Sequence, residues 1–214
     1  KEMMKKIILL LAITVFVAAC SSESKDNTTE KVENKTNTTN LNPIEGNTIL
    51  TVSQDSLSVL KWTGSALGKS HFGTVNFKGS LGISEKKLIS GNLEFDLGTI
   101  NTQDLSGKSK QKLDTHLKSE DFFDIDKYPK AYLVIKSFDG NTLNGSLTIK
   151  EITKEISFPA KLSVSENSLT GSANFKINRT EYGIVYKSDN FFDLAKDKVI
   201  SDEIEFMVKI SAIK

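Results

Sequence analysis

The feature that most constrains this chain is an alternation of apolar and polar residues that returns repeatedly after Thr48. Successive side chains of a β-strand point to opposite faces, so a period of two is typical of a strand with one apolar face. The apolar positions are Val75, Phe77, Leu81 and Ile83; Leu93, Phe95 and Leu97; Ile156, Phe158, Leu162 and Val164; Leu169, Ala173, Phe175 and Ile177; and Ile204, Phe206, Val208, Ile210 and Ala212. The pattern predicts an all-β domain.

Turn residues separate these segments, as in Asp139-Gly140-Asn141 and Glu166-Asn167. Such short connections make neighbouring strands antiparallel. About eight strands with one apolar face must stack as a sandwich or close as a barrel, because an open sheet leaves unpaired edges. Glycines at 79, 91, 145 and 171 provide the sharp coiling that barrel corners require, so we predict an antiparallel eight-stranded barrel over residues 48–214.

One segment interrupts the strand pattern. Between Asp104 and Lys118 the chain is rich in Lys and Ser, and Leu105, Leu113 and Leu117 have helix-compatible spacing. We predict a short surface helix here, followed by a turn at Ser119. This helix is placed to cover one end of the barrel.

The N-terminal residues have the pattern of an export signal. A basic pair, Lys5 and Lys6, precedes an apolar run over 7–19 that is too short to span a bilayer. The run ends in Val-Ala-Ala-Cys20, which resembles the lipobox of bacterial lipoproteins. We therefore predict a signal peptide over 1–19 and acylation of Cys20, which would anchor the mature protein to a membrane.

Residues 20–47 are crowded with Ser, Thr, Asn, Lys and Glu. Such a segment buries too little apolar surface to offset its ordering entropy, so we predict a flexible tether behind the acylated cysteine. Ser21 occupies the position where Asp would indicate retention in the inner membrane. The expected location is therefore the cell envelope of a Gram-negative bacterium, at the outer membrane.

Composition excludes several kinds of site. The formal net charge of +1 gives no general attraction to nucleic acids, and the sequence has no local basic stripe. One cysteine and two histidines exclude a disulfide framework and a Cys- or His-rich metal site. We expect no metal and no catalytic cofactor.

Arg179 is the single arginine among 28 Lys and Arg residues. We predict that Arg179 and Glu181 share one face of a strand, two residues apart. A planar guanidinium suits either a buried ion pair that closes one end of the barrel or contact with an anionic ligand head group. The sequence leaves both alternatives open.

Several motifs resemble, in order, those of the YceI-like family. They are His116 to Ala131 (HLKSEDFFDIDKYPKA), Gly145 to Ile149 with Thr153-Lys154, Arg179 to Gly183 (RTEYG), Trp62-Thr-Gly64, His71-Phe-Gly73 and Asp197 to Asp202. The resemblance implies a lipocalin-like β-barrel whose apolar tunnel holds a polyisoprenoid chain, in some members an isoprenoid quinone or a polyprenyl phosphate. Glu151-Ile152 departs from the glycine that many members carry there.

The resulting hypothesis is a lipid-anchored, non-enzymatic protein that binds or carries a long-chain isoprenoid, a quinone or a related amphiphilic lipid. Aromatic residues of the predicted strands are the candidates for the lumen: Trp62, Phe77, Phe95, Phe158, Phe175 and Phe206. Candidates for the head group or barrel end are Arg179, Glu181 and His71. Inward side chains of an eight-stranded barrel either fill it or leave room for one small ligand.

Two other classes of function stay open. One is an enzyme that acts on a lumen-bound lipid, with His71 or His116 as acid or base; Asp114 and Asp121 lie near His116 in sequence. The other is a ligand-free scaffold for envelope stress or protein interaction, which a filled lumen would favour. A homodimer is also compatible with the sequence.

Overall fold

A computed structural model describes residues 41–66, 68–192 and 199–214. The predicted signal peptide, Cys20 and the tether up to residue 40 lie outside these residues. Within them the chain forms nine strands: β1 (Thr48–Val52), β2 (Val59–Ala66), β3 (Lys69–Ser84), β4 (Lys87–Thr102), β5 (Lys130–Phe138), β6 (Thr142–Ile149), β7 (Ile152–Val164), β8 (Ser168–Asn178) and β9 (Ile200–Ile213).

The strands form one closed antiparallel sheet. Its order is β3-β2-β9-β8-β7-β6-β5-β4, and β4 pairs with β3 to complete the ring. These eight positions confirm the predicted all-β antiparallel barrel. Each of these eight strands pairs with a neighbour on both sides, as closure of a barrel requires.

The position between β3 and β9 in the ring is shared by two strands. β1 pairs with β3 through Thr48–Thr51 and with the end of β9, whereas β2 pairs with earlier residues of β3 and β9. Between them the chain leaves the sheet over 53–58. Ser58 holds this excursion to β9, because its Oγ accepts from the N–H of Ser211 at 3.1 Å.

The predicted turns and strand glycines have clear roles. Asp139 Oδ1 accepts the N–H groups of Asn141 and Thr142 in the β5–β6 turn. A Cβ atom at Gly145 would lie 2.5 Å from the carbonyl oxygen of Val134 on the neighbouring strand. Any larger residue at Gly145 would push β5 and β6 apart.

The predicted helix is present as α1 (Gly107–Lys118), and the chain turns at Ser119, whose N–H donates to the carbonyl of Thr115 at 3.1 Å. Asp114 fastens α1 to the barrel, since its Oδ1 accepts the N–H of Thr102 at 2.8 Å and its Oδ2 pairs with Lys110. Burial raises the pKa of Asp114, but the hydrogen bonds from Lys110 and Thr102 outweigh it and hold that pKa below its ordinary value. None of the helices in the described ranges is long and apolar enough to cross a bilayer.

Candidate functional site

The interior of the barrel contains two cavities. The upper cavity, of about 180 Å³, lies at the end covered by α1. The lower cavity, of about 60 Å³, lies toward the opposite end. The upper cavity is lined by Trp62, Leu97, Leu147 and Ile204 among others, and the lower by Leu81, Leu143, Leu169 and Ile210 among others. The lumen is therefore hollow and almost wholly apolar.

The six aromatic candidates for the lumen occupy different places. Trp62 and Phe206 line the upper cavity, Phe158 lines the lower one, and Phe95 and Phe175 line both. Phe77 is buried but lines neither cavity; its ring lies 5.7 Å from that of Phe95 between centroids. Five of the six aromatic residues thus border a cavity, and Phe77 belongs to the packed wall.

The helix end of the upper cavity is closed by α1 and the turn after it. Leu113, His116 and Leu117 of α1 line the cavity together with Phe122. The His116 ring packs edge-on against Tyr186 at 4.7 Å and Phe122 at 5.2 Å between centroids. This aromatic cluster forms a lid over the lumen.

Beside the lid, the described residues of the β2–β3 hairpin form part of the wall of the upper cavity. Ser65 and Ala66 of β2 and His71 of β3 line the upper cavity, and the His71 side chain is 41% exposed. His71 Nδ1 lies 2.7 Å from Oδ2 of Asp104, whose Oδ1 accepts the N–H of Phe72. Burial raises the pKa of Asp104, but the bonds from His71 and Phe72 hold it below its ordinary value. His71 therefore stands between solvent and the apolar lumen.

Arg179 differs from the predicted strand residue. Asn178 ends β8, and Arg179–Tyr182 forms a short 3₁₀ helix begun by the Asn178 side chain, which accepts the N–H of Thr180. The prediction that Arg179 and Glu181 share one strand face is wrong, because this turn points them apart. Arg179 is 1% exposed and lines the upper cavity, whereas Glu181 is exposed and is not among the residues that line it.

The Arg179 guanidinium bonds to backbone at the barrel end. Its Nε, Nη1 and Nη2 donate to the carbonyls of Ser201, Ile184 and Ile200 at 2.9, 2.7 and 2.9 Å. Burial lowers the pKa of Arg179, opposed by Asp202, whose Oδ1 lies 3.2 Å from Nη2. This arrangement supports the barrel-closing alternative, and the guanidinium still borders the lumen.

A second group of residues extends this closure and was not predicted. Asp202 Oδ2 accepts from Ser188 Oγ at 2.9 Å and from Asn190 Nδ2 at 2.6 Å, which holds the segment after the 3₁₀ helix against β9. Tyr182 is 1% exposed, and burial raises its pKa to about 12. The only sequence signal for this closure was the presence of Tyr182 in the Arg179 motif, since an irregular segment has no periodic pattern.

Trp62 carries an unsatisfied donor at the upper cavity. Its indole lies over Gly73, where a Cβ atom would come within 2.6 Å of Cζ2. Nε1 is buried and has no hydrogen-bond partner within the described part of the chain. A buried donor without an acceptor costs about 1–3 kcal/mol, so this N–H favours a ligand that carries an acceptor.

The two histidines border the same cavity but do not form a triad. His116 Nδ1 lies 3.7 Å from Oδ2 of Asp121, and Asp114 is engaged with Thr102 and Lys110 instead. Across residues 41–66, 68–192 and 199–214, His, Cys, Asp and Glu form no group of three or more able to hold a metal ion. The chemistry that this arrangement offers is burial of an apolar chain beside a few polar groups.

Comparison with known proteins identifies relatives of this chain and structures with a similar fold. A UPF0312 protein of Staphylococcus aureus (strain USA300) is 39% identical over 93 residues, which cover 40% of this chain and 54% of that protein. The chain thus spans about half the length of the curated relatives it matches.

Two solved structures have the same fold. Burkholderia cenocepacia BcnA has a TM-score of 0.57 and 17% identity, covering 72% of this chain and 95% of that one. A polyisoprenoid binding domain from Saccharophagus degradans, implicated in plant cell wall breakdown, has a TM-score of 0.58 and 12% identity, covering 78% and 99%. The family model described as the YceI-like domain matches residues 50–212, which begin within β1 and end within β9, so the chain belongs to the YceI-like family.

Proposed function

We propose that this protein binds the apolar chain of an isoprenoid or related amphiphilic lipid in the upper cavity and carries or stores it at the cell envelope. The observation that carries the proposal is the hollow apolar lumen of about 180 Å³ at the α1 end of the barrel. Burial of apolar ligand surface there contributes about 25 cal/mol per Å², so binding needs no catalytic group.

The distribution of polar groups supports an amphiphilic ligand. His71, His116 and Arg179 all border the upper cavity. The Trp62 N–H, which has no partner within the described ranges, lies along the same lumen. An apolar tail directed inward would leave its head group near His71, which lines the cavity and is partly exposed to solvent. A quinone head would bring carbonyl acceptors to this region.

Family membership supports the same class of ligand. The Saccharophagus degradans domain that has this fold is described as polyisoprenoid binding. At 12% identity the likeness extends to the fold, so the ligand class comes to this chain as part of the proposal.

The ligand is tested by native mass spectrometry of the full chain, extracted from bacterial membranes into polymer-bounded lipid discs. A lipid of isoprenoid mass should be present at one per chain and be identified after organic extraction. The matched control is Ala131→Phe, which places a large side chain in the upper cavity, with Ala131→Leu as a milder form and circular dichroism as the check on folding. Equal lipid in wild type and control, and no uptake of an added prenyl quinone, would contradict the proposal. The same spectra test the homodimer by mass.

We also propose that acylated Cys20 anchors the protein at the outer membrane of a Gram-negative envelope. Two or three acyl chains give stable attachment, whereas one chain is marginal. Cys20→Ser should abolish incorporation of labelled fatty acid and release the protein from sedimented membranes, with Ser21→Ala as the control. Retention of the label in Cys20→Ser would contradict this anchor.

An enzyme acting on the bound lipid is a second candidate, favoured by the 2.7 Å contact between His71 and Asp104 at the edge of the upper cavity. A histidine held by a carboxylate is a recurring general base. The double variant His71→Gln/His116→Gln separates the two functions. Lost turnover of the extracted lipid with retained binding supports the enzyme, whereas unchanged lipid in all samples supports the carrier.

A further inference from the structure

The two cavities are separated by a partition of four side chains, which line both of them. The partition consists of Leu60 on β2, Phe95 on β4, Leu133 on β5 and Phe175 on β8. β4 and β8 lie four positions apart in the ring of eight strands, so Phe95 and Phe175 approach the lumen from opposite sides. Any chain that enters at the helix end meets this layer before it reaches the lower half.

Phe175 is the member of the partition that is best placed to move. Leu60, Phe95 and Leu133 are at most 9% exposed, whereas Phe175 is only partly buried. Its ring stacks on Phe158 of the lower cavity, with centroids 4.1 Å apart, and lies 5.5 Å from Phe206 of the upper cavity. Rotation of this one ring would connect the two spaces.

The upper cavity is too small for a long isoprenoid tail, so the partition limits how much of such a tail can be buried. A cavity of about 150 Å³ holds one benzene molecule, so the upper cavity of about 180 Å³ holds roughly six to eight carbon atoms. That is one to two isoprene units. Ligand sites for larger molecules usually have about 300–1,000 Å³, so a longer tail needs the lower half as well.

We propose that Phe175 determines the length of the apolar chain that the lumen admits. This inference rests on the proposed function and adds its selectivity. The upper cavity holds the first one or two isoprene units of a tail, and further units are buried only when the Phe175 ring leaves its stack on Phe158. The protein therefore gains affinity from a short tail and little more from a longer one.

The test uses benzoquinones that share one head group and carry tails of one to six isoprene units. Trp62 is the single tryptophan and borders the upper cavity, so quenching of its fluorescence by the quinone reports binding. In the wild type the affinity should rise over the first one or two units and then level off. In Phe175→Ala it should keep rising, by at least about tenfold for each further unit, because each added unit buries several carbon groups.

Two further variants test whether a change in the affinity profile is specific to Phe175. Phe175→Leu removes less of the ring and should give an intermediate profile if Phe175→Ala folds poorly. Phe138→Ala makes the same truncation at a partly buried phenylalanine of β5 that lines neither cavity, and it should keep the wild-type plateau.

The outcomes separate the two proposals. A wild-type affinity that rises with tail length as steeply as that of Phe175→Ala overturns the role of Phe175 and leaves lipid binding intact. Loss of the plateau in Phe138→Ala as well also overturns it, since general loosening would then explain the change. Absence of binding at every tail length in the wild type overturns the proposed function itself.

Discussion

The two halves of the lumen are built from the same strands but have different roles, one in stability and the other in ligand binding. The lower half is closely packed, with fully buried Leu81 and Leu169 around a space of about 60 Å³. The upper half has about three times that space. It is lined by the partly exposed His71 and by Trp62, whose N–H has no partner among the residues that the structure describes. Close packing stabilises a fold, whereas a void forfeits contacts, so the lower half holds the barrel together while the upper half remains available to a ligand.

This difference teaches how a small barrel accommodates both stability and binding. The upper half loses packing energy at its centre and is held instead by polar closures at its rim. Arg179 joins three backbone carbonyls there, and Asp114 ties α1 to the end of β4. The predictions that follow test these rim closures against the packed half.

The largest effect should come from Arg179→Met. The substitution leaves three carbonyls and Asp202 without their buried donor, which should lower the free energy of unfolding by about 3–5 kcal/mol. Urea denaturation followed by circular dichroism measures it. Lys176→Met is the control, because Lys176 forms exposed ion pairs with Glu203 and Glu205 and should leave the midpoint unchanged. Similar midpoints for both variants would show that Arg179 does not close the barrel.

A matched pair of leucines compares the halves directly. Leu81→Ala in the lower half should cost about 4 kcal/mol of unfolding free energy, near the upper part of the range for buried leucines. Leu147→Ala in the upper half should cost about 2 kcal/mol, since Leu147 borders a cavity about three times larger than the one beside Leu81 and has fewer contacts to lose. Both values come from urea denaturation. Equal costs would mean that the upper half is packed as tightly as the lower.

The Asp114 closure should depend on pH. Its pKa is lowered in the folded protein, so its contribution to stability is complete above the unfolded value of about 3.9 and is lost as the pH falls through the folded value. At pH 7, Asp114→Asn should lower the free energy of unfolding by about 1.5 kcal/mol. Thermal denaturation at pH 7 and pH 3 should show the gap to wild type shrinking in acid. A gap of the same size at both values would exclude the ionised carboxylate as the cause.

The smallest effect concerns the Trp62 donor. Trp62→Phe keeps a ring at the upper cavity but removes the N–H, so the affinity for a short-tailed benzoquinone should fall about fivefold, equivalent to about 1 kcal/mol. The affinity for a hydrocarbon of the same size should fall less. Calorimetry measures both ligands, since the variant lacks the fluorescent reporter. Equal losses for the two ligands would assign Trp62 a packing role alone.

The sequence predicted the strands well, because alternation in β4, β7, β8 and β9 records directly which face is buried. The short helix over 107–118 also followed from leucine spacing. The 3₁₀ helix at Arg179 was missed, since Asn178 ends β8 through a side-chain bond that no periodicity announces. The sharing of one ring position, between β3 and β9, by β1 and β2 was missed for a similar reason.

The site was predicted less completely than the fold. Inward aromatic residues could be named, but Phe77 and Phe175 have the same pattern, and only one of them borders a cavity. The partition brings together side chains from β2, β4, β5 and β8, and its position depends on strand register and side-chain rotamers. Those quantities depend on contacts between distant segments, which local patterns do not record.

The pairing of β9 with β1 and β2, which closes the barrel, has a consequence for how quickly the protein reaches its native state. Ser58 and Ser211, which are hydrogen-bonded there, lie 153 residues apart along the chain. Pairing residues so far apart costs loop-closure entropy before any stabilising contact forms. All-β domains dominated by such pairings fold in milliseconds to seconds. The ring can close only after β9 has been synthesised, so until then β2 and β8 present unpaired edges on which chaperones and aggregation compete.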